Sequence, residues 1–148
     1  MLAVDDERVS VDSAHFKSNG CGYMLAAAEV LAEYVTEKPL KDLHGLPTRE
    51  LLNLTKAAFA HLPVDRVECV LCVINSVQAA FADMRSRRVQ EFQGESALIC
   101  TCFGITQDRI EDVIGHLQGP TVNKVSELTN AGTGCGSCRM LIQEIIEA

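Results

Sequence analysis

The chain has 148 residues, 47% hydrophobic and 22% charged, the proportions of an ordinary globular protein of one or two domains. Its formal charge of -7, with one short basic run at Arg85-Ser86-Arg87-Arg88, argues against nucleic acid or anionic membrane as a partner, because both call for clustered Lys and Arg. Seven cysteines, no signal-peptide pattern behind Met1 and no apolar stretch of transmembrane length make the cytoplasm the expected location, with the thiols serving chemistry rather than a disulfide framework.

In chain order, Leu2 to Val4 and residues 9–16 read as two strands of a hairpin turned by Asp5-Asp6-Glu7-Arg8, since Val9 and Val11 alternate with Ser10 and Asp12. Ser18-Asn19-Gly20 ends the second strand. From Tyr23 the period becomes helical, with Met24, Ala27, Ala28, Leu31, Tyr34 and Val35 along one stripe, so Cys21 falls on the strand-to-helix turn. After Leu46-Pro47 a second helix is expected over 48–60, with Leu51, Leu54, Thr55 and Ala58 on one side. Asp65 and Glu68 have capping-box spacing for a third, whose core stripe is Val70, Val73, Ile74, Val77, Phe81 and Met84. The basic run Arg85 to Arg88 reads as the solvated end of that helix, where cations complement the dipole.

Cys69 and Cys72 lie on the third helix but off its stripe, on a flank centred roughly 130° from the apolar face at 3.6 residues per turn. Core packing does not select that flank. Being three apart they are neighbours, and the helix N-terminus favours a thiolate at Cys69. No βαβ unit surrounds them, which argues against a thioredoxin-type dithiol. From spacing alone, ligation and inert burial stay open for these two and for Cys21.

Residues 86–96 are polar, contain Gly94 and lack apolar periodicity, so they read as a linker between a domain at 1–85 and another at 97–148. Three short helices are expected in the second domain. Thr106 can cap the first, with Ile110, Val113, Ile114 and Leu117 on one face and Gly119-Pro120 ending it. Thr121 opens the next, with Val122, Val125 and Leu128 facing the core, and 136–146 forms the last, with Leu141, Ile142, Ile145 and Ile146 as its apolar side.

Around these helices stand Cys100-Thr101-Cys102 and Cys135-Gly136-Ser137-Cys138, four thiols in two close pairs. Each pair brings its own sulfurs together, leaving one long loop to close, and the closure cost grows slowly with loop length. Four thiolates suit zinc or an iron–sulfur cluster. Gly132, Gly134 and Gly136 favour the cluster, because a backbone without side chains can wrap a bulky inorganic core and turn its amides to the sulfurs. A core of about 40 residues usually needs such a staple. His15, His44, His61 and His116 have no ligand spacing to either pair and read as surface or cap residues.

The stretches Cys100-Thr101-Cys102-Phe103-Gly104-Ile105-Thr106, Thr129-Asn130-Ala131-Gly132 and Gly134-Cys135-Gly136-Ser137-Cys138 resemble the bacterioferritin-associated ferredoxin family, whose module is also the central domain of NifU. That resemblance implies a small all-α domain with a [2Fe–2S] cluster on Cys100, Cys102, Cys135 and Cys138. Phe16-Lys17-Ser18-Asn19-Gly20-Cys21-Gly22, the Ala-rich helix ending Glu33-Tyr34-Val35, and Leu62-Pro63-Val64 ahead of Cys69 are similar to the IscU/NifU scaffold family. The implied fold of residues 1–85 is α+β, a small antiparallel sheet against helices, with an assembly site on Cys21 and Cys69. The family's third cysteine and nearby aspartate belong to a segment that would precede Leu2, its histidine before the last scaffold cysteine is Glu68 here, and Leu62-Pro63-Val64-Asp65-Arg66 is a reduced form of its chaperone signal. Cys72 is an extra thiol, so the labile set becomes Cys21, Cys69, Cys72 and Glu68, suited to a transient second cluster, iron or zinc.

By resemblance, the chain is a non-enzymatic scaffold or carrier of iron–sulfur cluster assembly, supplied by a cysteine desulfurase and serving apo iron–sulfur proteins, and its open sheet edge implies a homodimer. The alternatives are an electron-transfer module with a degenerate first domain, and a zinc-stabilised interaction protein.

Overall fold

The alternation of the opening residues resolves as an antiparallel hairpin of β1 (Leu2–Asp5) and β2 (Ser10–Ala14), with Leu2 opposite Ala14 and Val4 opposite Val11. The computed structural model describes residues 2–5 and 9–148; the turn assigned to Asp5-Asp6-Glu7-Arg8 otherwise falls outside the described residues. Val11 is fully buried, and its backbone bonds on the far edge to Glu37 and Lys38, so β2 stops short of the exposed Phe16. The chain divides into two compact units, residues 1–83 and 84–148.

The first unit holds α1 (Gly22–Val35), α2 (Leu40–Leu43), α3 (Thr48–Ala58) and α4 (Val67–Glu91) as far as Asp83. Its core is Ala27, Ala28 and Leu31 of α1, Leu51 of α3, and Val70, Val73 and Ile74 of α4. The small alanines of α1 leave room for the branched side chains of α4. Thr55 is also buried and returns its hydroxyl to the Leu51 carbonyl at 2.7 Å. Ala58, expected inside, is exposed, because it lies in the last turn of α3. The α2 turn had no periodicity to announce it: four residues bury only Leu40 and Leu43, and His44 closes it against Phe81.

The start of α4 differs from the capping-box expectation. Asp65 lies inside a 3-10 turn, Val64–Arg66, and pairs with Arg66 at 3.3 Å while α4 begins at Val67. Its end differs too: residues 86–91 of the expected linker are helical, because Arg, Gln and Glu extend a helix without an apolar stripe. With its leading turn this helix has 28 residues and an apolar window of mean hydropathy 1.4, long enough to cross a bilayer, contrary to the expectation of no such stretch. Val70, Val73, Ile74, Phe81 and Met84 form its buried face, and 28% of that apolar window is buried.

In the second unit a short hairpin, β3 (Leu98–Cys100) with β4 (Ile105–Thr106), precedes α5 (Gln107–His116), α6 (Val122–Thr129) and α7 (Arg139–Glu147). The unit is thus helical with one two-stranded addition. Thr106 is the N-cap of α5 by position, but the capping oxygen is Ser96 Oγ, which accepts from the Asp108 amide at 3.1 Å. Thr121 caps α6 as expected, accepting from the Lys124 amide at 3.3 Å. Ile110, Val113, Val125 and Ile142 join Cys100, Cys102 and Cys138 in one buried cluster. Truncating a fully buried Ile such as Ile142 to Ala costs about 2–5 kcal/mol. Leu128 and Leu141, expected in the core, are 59% and 44% exposed: on helices this short only one narrow face is covered.

Candidate functional site

The four cysteines of the second unit are carried by two loops. Cys100 ends β3 and Cys102 lies in the turn to β4; Cys135 lies in the loop after α6, and Cys138 is the N-cap of α7. Gly136 has φ +79°, which a helix cannot hold, so α7 starts three residues later than its apolar pattern suggests. Cys100, Cys102 and Cys138 are buried and Cys135 is exposed, all as free thiols.

Their sulfurs form a chain of contacts. Cys102 Sγ lies 3.5 Å from Cys135 Sγ, and Cys100 stands between Cys102 and Cys138. The Cys102 and Cys138 thiols both donate to Cys100, and the amides of Gly132 and Phe103 add to them against the opposing effect of burial, so Cys100 ionises far below the ordinary thiol range. Cys102 and Cys138 are pushed up, first by donating to Cys100 and then by burial. At Cys135 burial raises the thiol, but the hydroxyl and amide of Ser137, the Cys102 thiol and the charge of Arg85 together bring it down.

Backbone amides of Gly132, Phe103, Cys135 and Ser137 therefore point at sulfur. Gly132 is needed for this: its φ is +81°, and a Cβ there would lie 3.0 Å from Arg139 Cγ and 3.1 Å from Ser126 Oγ. Arg139 ties the loop to α6 by donating to Asn123 Oδ1 at 2.8 Å. The basic run read as solvated also belongs here. Arg88 donates to the Cys102 carbonyl, and Arg85 is close enough to act on Cys135, because i and i+3 on the last turns of α4 share a face. Spacing could not have shown that face.

The donor set fits an iron–sulfur cluster. Four thiolates with several amides directed at them balance an anionic inorganic core. Cys100, Cys102, Cys135 and Cys138 would hold the cluster, which supplies one-electron chemistry when bound.

In the first unit Cys21, the N-cap of α1, and Cys69, in the first turn of α4, meet at 3.3 Å between sulfurs across 48 residues of sequence. The Met24 amide and the contact with the Cys69 sulfur lower Cys21, while Cys69 is raised by that contact and then by burial. Arg66, placed from the sequence only in the reduced chaperone signal, acts on both sulfurs. Cys72 and Glu68 are exposed, and neither completes a metal-sized group with the pair. The histidines are elsewhere: His44 is buried against Phe81, His116 bonds the Asp112 carbonyl at 2.7 Å, and His61 is exposed.

Residues 1–91 match the model of the NifU-like N terminal domain. The chain belongs to that family. Residues 98–148 of this NifU-like chain match the BFD-like [2Fe-2S] binding domain, so its cofactor is a [2Fe–2S] cluster. It is 28% identical over 145 residues to the nitrogen fixation protein NifU of Azotobacter chroococcum mcd 1, covering 98% of this chain and 46% of the relative. The NifU of Leptolyngbya boryana is 37% identical over 98 residues, 65% of this chain and 48% of that protein. The iron-sulfur cluster assembly scaffold protein IscU of Escherichia coli K12 is 28% identical over 87 residues, 59% of this chain and 63% of IscU. The NifU-like chain spans about half the length of the NifU relatives it matches. No solved structure matches it.

Proposed function

We propose that this NifU-like chain is a non-enzymatic scaffold and carrier of iron–sulfur cluster assembly. Its first unit gathers iron and sulfur on the Cys21–Cys69 pair, with Cys72 and Glu68 exposed nearby on α4 as further donors that swing in when the cargo binds. Its second unit keeps a resident [2Fe–2S] cluster on Cys100, Cys102, Cys135 and Cys138. The observation that carries this is the contrast between the two thiol groups. Cys21 and Cys69 are half-buried and few, which suits a cargo that must leave, whereas three of the other four are buried and amide-supported, which suits a cluster that stays.

The sulfur donor is a cysteine desulfurase, the recipients are apo iron–sulfur proteins, and the compartment is the thiol-reducing cytoplasm. Among the described residues β1 has β2 as its one hydrogen-bonded neighbour, leaving an edge where a second copy can pair. Ferrous iron, cysteine and a desulfurase, supplied anaerobically, should load iron beyond the two irons of the resident cluster and deliver it to an apo-acceptor. Uptake limited to the resident cluster, with no delivery, would overturn the scaffold reading.

The pairing of only two thiols at the first site favours a second reading, an electron-transfer module whose first unit only docks a redox partner. In that case Cys21→Ala and Cys69→Ala leave electron transfer and biological activity intact, and Cys135→Ala abolishes both.

A further inference from the structure

The Cys21–Cys69 contact has a chemistry besides metal binding. A disulfide needs sulfurs about 2.05 Å apart. These stand at 3.3 Å with nothing to be moved from between them. Cys21 is the extended N-cap residue of α1, with no side-chain cap bond to hold it, so side-chain rotation and a small shift at the helix start can close the remaining gap. Both sulfurs are half-buried, within reach of a small reagent but shielded from large ones. Cys72 is more exposed yet lies outside this contact, three residues along α4.

We propose that Cys21 and Cys69 are a reversible dithiol–disulfide couple that closes the first unit's site when oxidised. Its consequence for loading rests on the scaffold reading; the couple itself does not. The oxidant is a low-molecular-weight disulfide, RSSR. One cysteine sulfur attacks it, giving a protein–SR mixed disulfide and releasing RS⁻, which takes up the proton that the thiol loses. The second cysteine sulfur then attacks the protein-side sulfur and releases the other RS⁻, which is protonated in the same way. In sum, two protein thiols and RSSR become one protein disulfide and two RSH, with the pair oxidised and RSSR reduced. Excess thiol reverses both steps. A metal bound to the two sulfurs blocks the attack, so the bond forms on the empty site and marks it as unavailable.

The test uses the full chain with its resident cluster in place, exposed anaerobically to glutathione disulfide, quenched with an alkylating agent and mapped by mass spectrometry. The expected product has lost two hydrogens, carries a Cys21–Cys69 cross-link, forms equally in Cys72→Ala, and reverts with dithiothreitol. Cys21→Ser should instead accumulate a glutathione adduct on Cys69. Adducts without that cross-link in the unsubstituted chain, or a cross-link to Cys72, would overturn the couple. So would equal iron uptake by the oxidised and reduced chains, if the reduced chain loads iron beyond its cluster. If the reduced chain loads none but the cross-link forms, the scaffold reading fails and the couple stands.

Discussion

Cys102 and Cys135 bring their sulfurs to 3.5 Å from loops 33 residues apart, one in a β-hairpin turn and the other in the stretch between α6 and α7. Since Cys135 is the exposed member of the four, the second unit's outer wall depends on this contact. Cys135→Ser should lower cluster affinity by at least about 10- to 100-fold, the range seen when supporting residues of a metal site are lost. Iron and sulfide counts would show it. Melting should follow the cluster: removing it with a chelator should melt the second unit well before the first, read as two separated transitions.

Gly132 is the position where backbone geometry and site chemistry coincide. Gly132→Ala forces a Cβ into Arg139 and Ser126 at a φ of +81°, at a cost of about 1–3 kcal/mol. It also turns an amide away from Cys100 and Cys138. Gly115→Ala is the control. Its Cβ meets nothing within 4 Å and its helix gains about 0.5–1 kcal/mol, so its melting temperature should rise.

Arg88 holds the Cys102 carbonyl, so Arg88→Ala should release the cluster to a chelator about tenfold faster without unfolding the unit. An unchanged release rate would return Arg88 to the solvated role that its sequence suggests.

The Cys21–Cys69 pair titrates in two steps. Cys21 is lowered, so its thiolate, the form that reacts, is present at a pH where an ordinary thiol is still protonated; Cys69 is raised and ionises later. Iodoacetamide labelling of the metal-free first site against pH should therefore inflect early at Cys21 and late at Cys69. Coincident inflections would contradict the contact.

Much of this was legible in the residues. The α1 stripe could be read because Ala27, Ala28 and Leu31 recur at helical spacing and are buried where that spacing puts them. Both cysteine pairs of the second unit stood out because their spacing is local. What escaped was tertiary. Arg85 and Arg88 look the same in sequence whether they face water or Cys102, α2 is too short to carry a period, and Leu128 and Leu141 fall on helix faces that three short helices cannot cover. Gly136 and Ser96 show the same limit at helix starts, where one positive φ or one distant hydroxyl sets the boundary.

The most direct measurement is the visible and EPR spectrum of anaerobically purified protein, with iron, sulfide and zinc counted per chain. Two irons and two sulfides on the second unit, with charge-transfer absorption and an EPR signal that appears on reduction, are expected, and the Cys135→Ser variant should lose them. A colourless protein holding one zinc would contradict the account, because zinc has a filled d shell and the four thiols would then only staple the fold.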